Sequence, residues 1–161
     1  MPRRFESEIF YKKGQCSNKA GDLIFQRKSV RDFIGDNIFL YAGSDGESHF
    51  EDLSTELSLT DFAASAPPLY LSPLTPASKF SFFGAPAGWQ SDWHPSSDRN
   101  LFVVVSGEWE VTASDGETRR FACGSVLLVE DTSGKGHTSR VVGTEDSLAL
   151  LMQLPQLSGE T

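Results

Sequence analysis

The chain has 161 residues, of which 39% are hydrophobic and 22% charged, and it carries a formal net charge of −8. That is length for one domain with a sizeable core, with the composition of a globular protein, and no run approaches the ~18 consecutive apolar residues of a membrane span. The charge is uneven: residues 1–35 hold eight Lys and Arg against four Asp and Glu, whereas residues 36–161 hold six against eighteen. So acidic a surface repels a phosphate backbone, and the basic leader lacks the aromatic interleaving of a nucleic-acid arm, which removes DNA, RNA and the membrane as expected partners.

Residues 1–36 read as an N-terminal extension, partly disordered or in edge strands. FESEIFYKK and DLIFQRKSVRDFI each fit an edge strand, and the second also fits a short amphipathic helix with Leu23, Ile24, Val30, Phe33 and Ile34 as its apolar set. Glu6, Glu8 and Asp22 argue against a transit peptide, and the apolar core of a secretion signal is missing. The expectation is a cytoplasmic protein with Cys16 and Cys123 reduced.

From Asn37 onward, runs rich in Val, Ile, Phe and Leu recur between turn residues: NIFLYA, KFSFF, NLFVVV, EWEVTA, SVLLVE, TSRVV and SLALLMQL. They are short for helices, and their β-branched and aromatic content predicts an all-β sandwich or barrel over residues 37–155, followed by a tail at 156–161. Residues 53–65, LSTELSLTDFAAS, fit neither period cleanly; strand then loop is preferred over helix. Ser106–Gly107 and Asp115–Gly116 predict two successive hairpins and hence three consecutive antiparallel strands. In EWEVTA, Trp109, Val111 and Ala113 alternate with Glu108, Glu110 and Thr112, so one face should be buried. NLFVVV lacks that alternation, as a strand covered on both faces would.

Gly88, His94, Ser96, Asn100 and Gly107 follow one another at intervals of five, one, three and six intervening residues within GWQSDWHPSSDRNLFVVVSG. This spacing resembles the first motif of the cupin superfamily. GSVLLVEDTSGKGH, Gly124 to His137, resembles the second in a form two residues longer and without its usual Pro. The likeness covers about residues 38–154, and YAGSDGESHFEDL and DGETRRF within it are similar to small single-domain cupins of unassigned function. It implies a double-stranded β-helix, or jelly-roll barrel, and a homodimer. In metal-binding members the Ser96 position is usually a second His and the Asn100 position a Glu. The resemblance therefore carries over His94 and His137 as metal ligands or as general acid or base, with Asn100 as a neutral third ligand. No cofactor is fixed by it; the candidate is a divalent cation, Fe, Mn, Zn or Ni, and two imidazoles with an amide carry no charge to balance one. Asp92, Asp98, Glu130 and Asp131 are acids close in sequence.

On an unbroken period of two, His94, Ser96 and Asn100 would share a face. Trp89, Trp93 and Trp109 lie within 21 residues, enough aromatic surface to stack a ring or a sugar as well as to fill a barrel. Arg99 is placed to clamp a carboxylate or phosphate, or to pair with a nearby acid. His49 reads as structural. Ser96 beside Pro95 lacks the strand-to-helix elbow of a serine nucleophile. The expected ligand is a small molecule. Two function classes follow: an isomerase, lyase or dioxygenase with or without its metal, and a metal-free module that binds or senses a small ligand without catalysis.

Overall fold

The computed structural model describes residues 28–29 and 37–156. Among them are twelve strands and no helix: β1 Lys28–Ser29, β2 Asn37–Ala42, β3 Ser48–Asp52, β4 Glu56–Thr60, β5 Leu69–Leu71, β6 Lys79–Ala85, β7 Asn100–Ser106, β8 Glu108–Ala113, β9 Thr118–Ala122, β10 Val126–Glu130, β11 His137–Val141 and β12 Ser147–Gln153. The readings made for residues 1–27, 30–36 and 157–161, Cys16 included, lie outside the described residues. Cys123 is exposed and free. No helix among the described residues is long and apolar enough to cross a membrane.

A six-stranded sheet runs β3-β2-β10-β7-β12-β6, a three-stranded sheet β11-β8-β9, and a smaller one β1-β4-β5. Pairing is antiparallel except between β2 and β10. The first two sheets share one core, because alternate residues of their strands point into it. Ile38 and Leu40 of β2, Leu127 and Val129 of β10 and Val104 of β7 meet Trp109, Val111 and Ala113 of β8, Phe121 of β9 and Val141 of β11. Each large apolar side chain fully buried this way contributes about 1.5–3 kcal/mol. The all-β, two-sheet barrel is the fold that the apolar runs predict, and 53–65 is β4 followed by a loop.

Two expectations are corrected. The Asp115–Gly116 turn does close a hairpin: Gly116 N donates to Ala113 O at 2.9 Å and Ala113 N to Glu117 O at 2.9 Å, with β8 and β9 in register. Ser106–Gly107 does not. β7 pairs with β10 and β12 in the large sheet while β8 belongs to the small one, so this turn is the corner where the chain crosses between sheets. Gly107 has φ of +77°, and a Cβ there would lie 2.8 Å from the Ser147 Cα, so the corner needs glycine for both conformation and space. Nor is β7 covered on both faces: Val104 is buried, but Val105 is 44% exposed.

Candidate functional site

Residues 89–94 lie along the free edge of β11 and lengthen the small sheet. Ser91 N donates to Ser139 O at 2.9 Å, Val141 N to Trp89 O at 2.8 Å and Ser139 N to Ser91 Oγ at 2.9 Å. At the end of this pairing His94 and His137 exchange both main-chain bonds, His94 N to His137 O at 3.0 Å and His137 N to His94 O at 2.9 Å. The two imidazoles are thereby set side by side, ring centroids 4.7 Å apart and planes at 52°. Gly136 makes the approach feasible. It has φ of +75°, and a Cβ would stand 2.0 Å from the His94 carbonyl oxygen.

Each imidazole has one nitrogen engaged. His94 Nδ1 lies 2.8 Å from the Asp92 carbonyl oxygen, an acceptor, so Nδ1 carries the proton. His137 Nδ1 lies 2.7 Å from Asp131 Oδ2, which also accepts from Ser48 Oγ at 3.0 Å. Asp131 is 0% exposed, and its Oδ1 has no hydrogen-bond partner among the described residues. In both rings the Nδ1 proton is spent on a fixed acceptor, which leaves Nε2 as a bare lone pair. His137 is buried and His94 exposed.

Ser96 and Asn100 are engaged with each other. Asn100 Nδ2 donates to Ser96 Oγ at 3.1 Å and to the Asp98 carbonyl at 2.9 Å, and Ser96 Oγ donates to the same carbonyl at 2.7 Å. The Ser96 hydroxyl is consumed within this turn. Of the Asn100 amide, Oδ1 remains to accept.

The two histidines open on a cavity of about 370 Å³ between the sheets. Phe83, Trp89, Phe102, Trp109, Val111, Leu127, Val129 and Leu151 supply its apolar wall, and His94, Ser96, Ser97, Asn100, His137 and Ser139 its polar positions. Phe83, Trp89 and Phe102 surround Trp109 with ring centroids 5.4–5.6 Å from its own. The Trp109 Nε1 is buried without a hydrogen-bond partner among the described residues. Six of the sequence-derived site residues therefore meet here: His94, His137, Trp89, Ser96, Asn100 and Trp109. Trp93 and Arg99 are not part of the lining. Trp93 is 55% exposed, and Arg99 is held by Glu130 and by the Pro155 carbonyl oxygen, so the carboxylate clamp is not formed. Phe102, Leu127 and Val129 were absent from the sequence-derived set, although Phe102 shares strand parity with Asn100. Asp131, marked only as a nearby acid, proves to be the residue that orients His137.

No group of three or more His, Cys, Asp and Glu among the described residues is arranged to hold a metal. The donor set at the cavity is two imidazoles and one amide oxygen, with the carboxylate of Asp131 behind His137 rather than beside its Nε2.

No family model matches the chain, and no curated protein matches it. Solved structures do. A protein from Neisseria meningitidis aligns at 20% identity over 47% of this chain and 72% of its own, with a TM-score of 0.36. A conserved protein of unknown function from Streptococcus pyogenes aligns at 20% identity over 48% of this chain and 65% of its own, just under two thirds, with a TM-score of 0.39. The cupin domain of Cnp3 from Schizosaccharomyces pombe aligns at 16% identity over 67% of this chain and 73% of its own, with a TM-score of 0.39. The chain itself is all-β, with two sheets closed over one core.

Proposed function

We propose that this protein binds a small molecule in the cavity between its two main sheets, with the polar end of the ligand at the paired histidines. The observation that carries the reading is the conjunction of an aromatic-walled cavity of about 370 Å³ with two imidazoles whose Nδ1 atoms are both tied back. Cavities of this size and make-up, apolar with a few convergent polar groups, are the usual form of small-molecule sites. His137, backed by Asp131, is the candidate general base if the protein is an enzyme of the isomerase or lyase kind; without such chemistry the same pocket is a binding or sensing module. A thermal-shift screen with aromatic, carboxylate and sugar panels tests the binding. A ligand at 100 times its dissociation constant adds about 2.7 kcal/mol, and silence across the panel counts against the pocket.

One observation favours a metal-assisted form. Metal-ligating histidines donate their second nitrogen to a carboxylate or carbonyl, and both His94 and His137 do so. With Asn100 Oδ1 they supply three neutral donors, so a divalent cation would depend on water or an anionic ligand for charge balance. Elemental analysis of untagged protein beside His94→Ala and His137→Ala tests this form: metal present in the parent and lost in both variants supports it, and no metal after incubation with Fe, Mn, Zn and Ni removes it.

The homodimer implied by the motif resemblance is proposed through β6. Among the described residues that strand ends the large sheet, and Phe80 and Phe82 are 72% and 66% exposed on it, so an antiparallel β6 pair about a two-fold axis would cover both the sheet edge and the aromatics. Sedimentation of the wild type against Phe80→Lys/Phe82→Lys reads it out.

A further inference from the structure

We infer that the cavity selects an uncharged aromatic ring bearing hydroxyl donors, the phenol and catechol class. The inference rests on the proposal that the cavity binds a small molecule, and it is carried by what the wall offers and what it withholds.

Charge comes first. Among the described residues, no Lys, Arg, Asp or Glu lines the cavity. The cations near it are spoken for: Arg99 by Glu130, Arg140 by Glu110 at 2.6 Å, and Lys135 by Glu47. A ligand carboxylate or phosphate would lose its water with no cation to compensate, and it would approach the buried Asp131 behind His137.

The hydrogen-bonding inventory comes next. His94 and His137 present bare Nε2 atoms, because each Nδ1 proton is spent on a fixed acceptor, and Asn100 presents Oδ1, because its amino group is spent on Ser96 and Asp98. These three side chains offer acceptors, and the unpaired Trp109 Nε1–H offers one donor. A matching ligand brings hydroxyls, which donate to the former and can accept from the latter, and two adjacent imidazoles suit two adjacent hydroxyls.

The remaining wall settles ring against sugar. Phe83, Trp89, Phe102 and Trp109 form an edge-to-face and tilted cluster, and Leu127, Val129 and Leu151 continue it. A planar ring gains from such a surface. A sugar would turn several hydroxyls onto carbon, each left without a partner.

The experiment titrates chelator-stripped protein with catechol, with veratrole, which is catechol with both hydroxyls methylated, and with benzoate. Binding is followed by calorimetry and by the indole resonances of Trp89 and Trp109. The expected result is catechol at least about tenfold tighter than either of the others, the difference made by one or two hydrogen bonds. In His94→Phe the preference for catechol over veratrole should shrink toward parity; His94 is exposed, so the fold tolerates its replacement. Equal binding of catechol and veratrole by the wild type overturns the hydroxyl-donor inference while leaving the pocket standing. Tighter binding of benzoate overturns the charge argument. If none of the three moves either indole resonance, this inference falls, while the pocket reading falls only with silence across the wider thermal-shift panel.

Discussion

Asn100 donates from Nδ2 to Ser96 Oγ at 3.1 Å, so the two polar residues that follow His94 in the spaced motif are bonded to each other. Their pairing closes a turn with the Asp98 carbonyl and takes the Ser96 proton out of play. The double substitution Ser96→His with Asn100→Glu would give the site a third imidazole and a carboxylate beside His94 and His137. Zinc or nickel affinity is expected to rise at least about 100-fold over the parent, because a charged donor set replaces a neutral one. Competition titration against a chromogenic chelator measures it, and unchanged affinity would mean that the turn does not aim these positions at the histidines.

Asp131 holds His137 and Ser48 from a position with no exposure to solvent. Asp131→Ala leaves the His137 Nδ1 and the Ser48 hydroxyl without acceptors, at about 1–3 kcal/mol for each buried group. Asp131→Asn keeps the volume and an amide oxygen that can still accept from His137 Nδ1 and Ser48 Oγ. We expect Asp131→Ala to lower the urea midpoint markedly and to abolish the hydrogen-bonded Nδ1 proton signal of His137, and Asp131→Asn to keep that signal. Retention of the signal in Asp131→Ala would show that the ring is oriented by something else.

How far the site was legible in advance depended on the range of the contacts. Trp109, Val111 and Ala113 were readable as buried because alternation within one strand is a local property, and β8 shows it in full. The Ser106–Gly107 corner was not, since the same turn residues serve a hairpin or a crossing between sheets; the choice is made by β10 and β12 pairing with β7. His94 and His137 were placed by motif spacing, and the structure adds that they are backbone partners. For Arg99, read either as an anion clamp or as the partner of a nearby acid, the structure gives an ion pair, but with Glu130 and with the Pro155 carbonyl oxygen, 31 and 56 residues away, beyond the reach of local pattern. The shared face expected for His94, Ser96 and Asn100 fails as a strand argument: Pro95 interrupts the pairing, and the side chains meet through a turn instead.

Gly136 tests the histidine pair without touching either ring. Alanine there adopts φ of +75° at a cost of about 1–3 kcal/mol, and its Cβ must displace the His94 carbonyl, now at 2.0 Å. Gly116→Ala is the control, with φ of +98° and nothing within 4 Å of the added carbon. Both should lose stability in urea. Only Gly136→Ala should also shift the His94 and His137 ring resonances, and equal perturbation by the two would deny the close approach its role.

His49, which is not part of the cavity lining, predicts a pH dependence of stability. It stands on β3 with Nε2 at 3.0 Å from Asp45 and Nδ1 at 2.7 Å from Asp115, tying the β2–β3 turn to the β8–β9 hairpin, with the Tyr41 ring 5.8 Å away. Hydrogen bonding to Asp45, then to Asp115, raises its pKa above the ordinary 6.5. The folded protein therefore holds this proton more tightly than the unfolded chain. The resulting stability is fully present below pH 6.5 and is lost as pH rises through the raised value. At the acid end the sign reverses. The Glu47 N–H and then His49 hold the Asp45 carboxyl below its usual 3.8, so that contribution fades as pH falls through the lowered value. The histidine is partly exposed, which limits its share to about 1 kcal/mol or less. Urea unfolding from about pH 6 to pH 9 should show wild-type stability declining relative to His49→Gln, the two curves converging at the alkaline end. Parallel curves would mean that the two ion pairs do not couple protonation of His49 to folding.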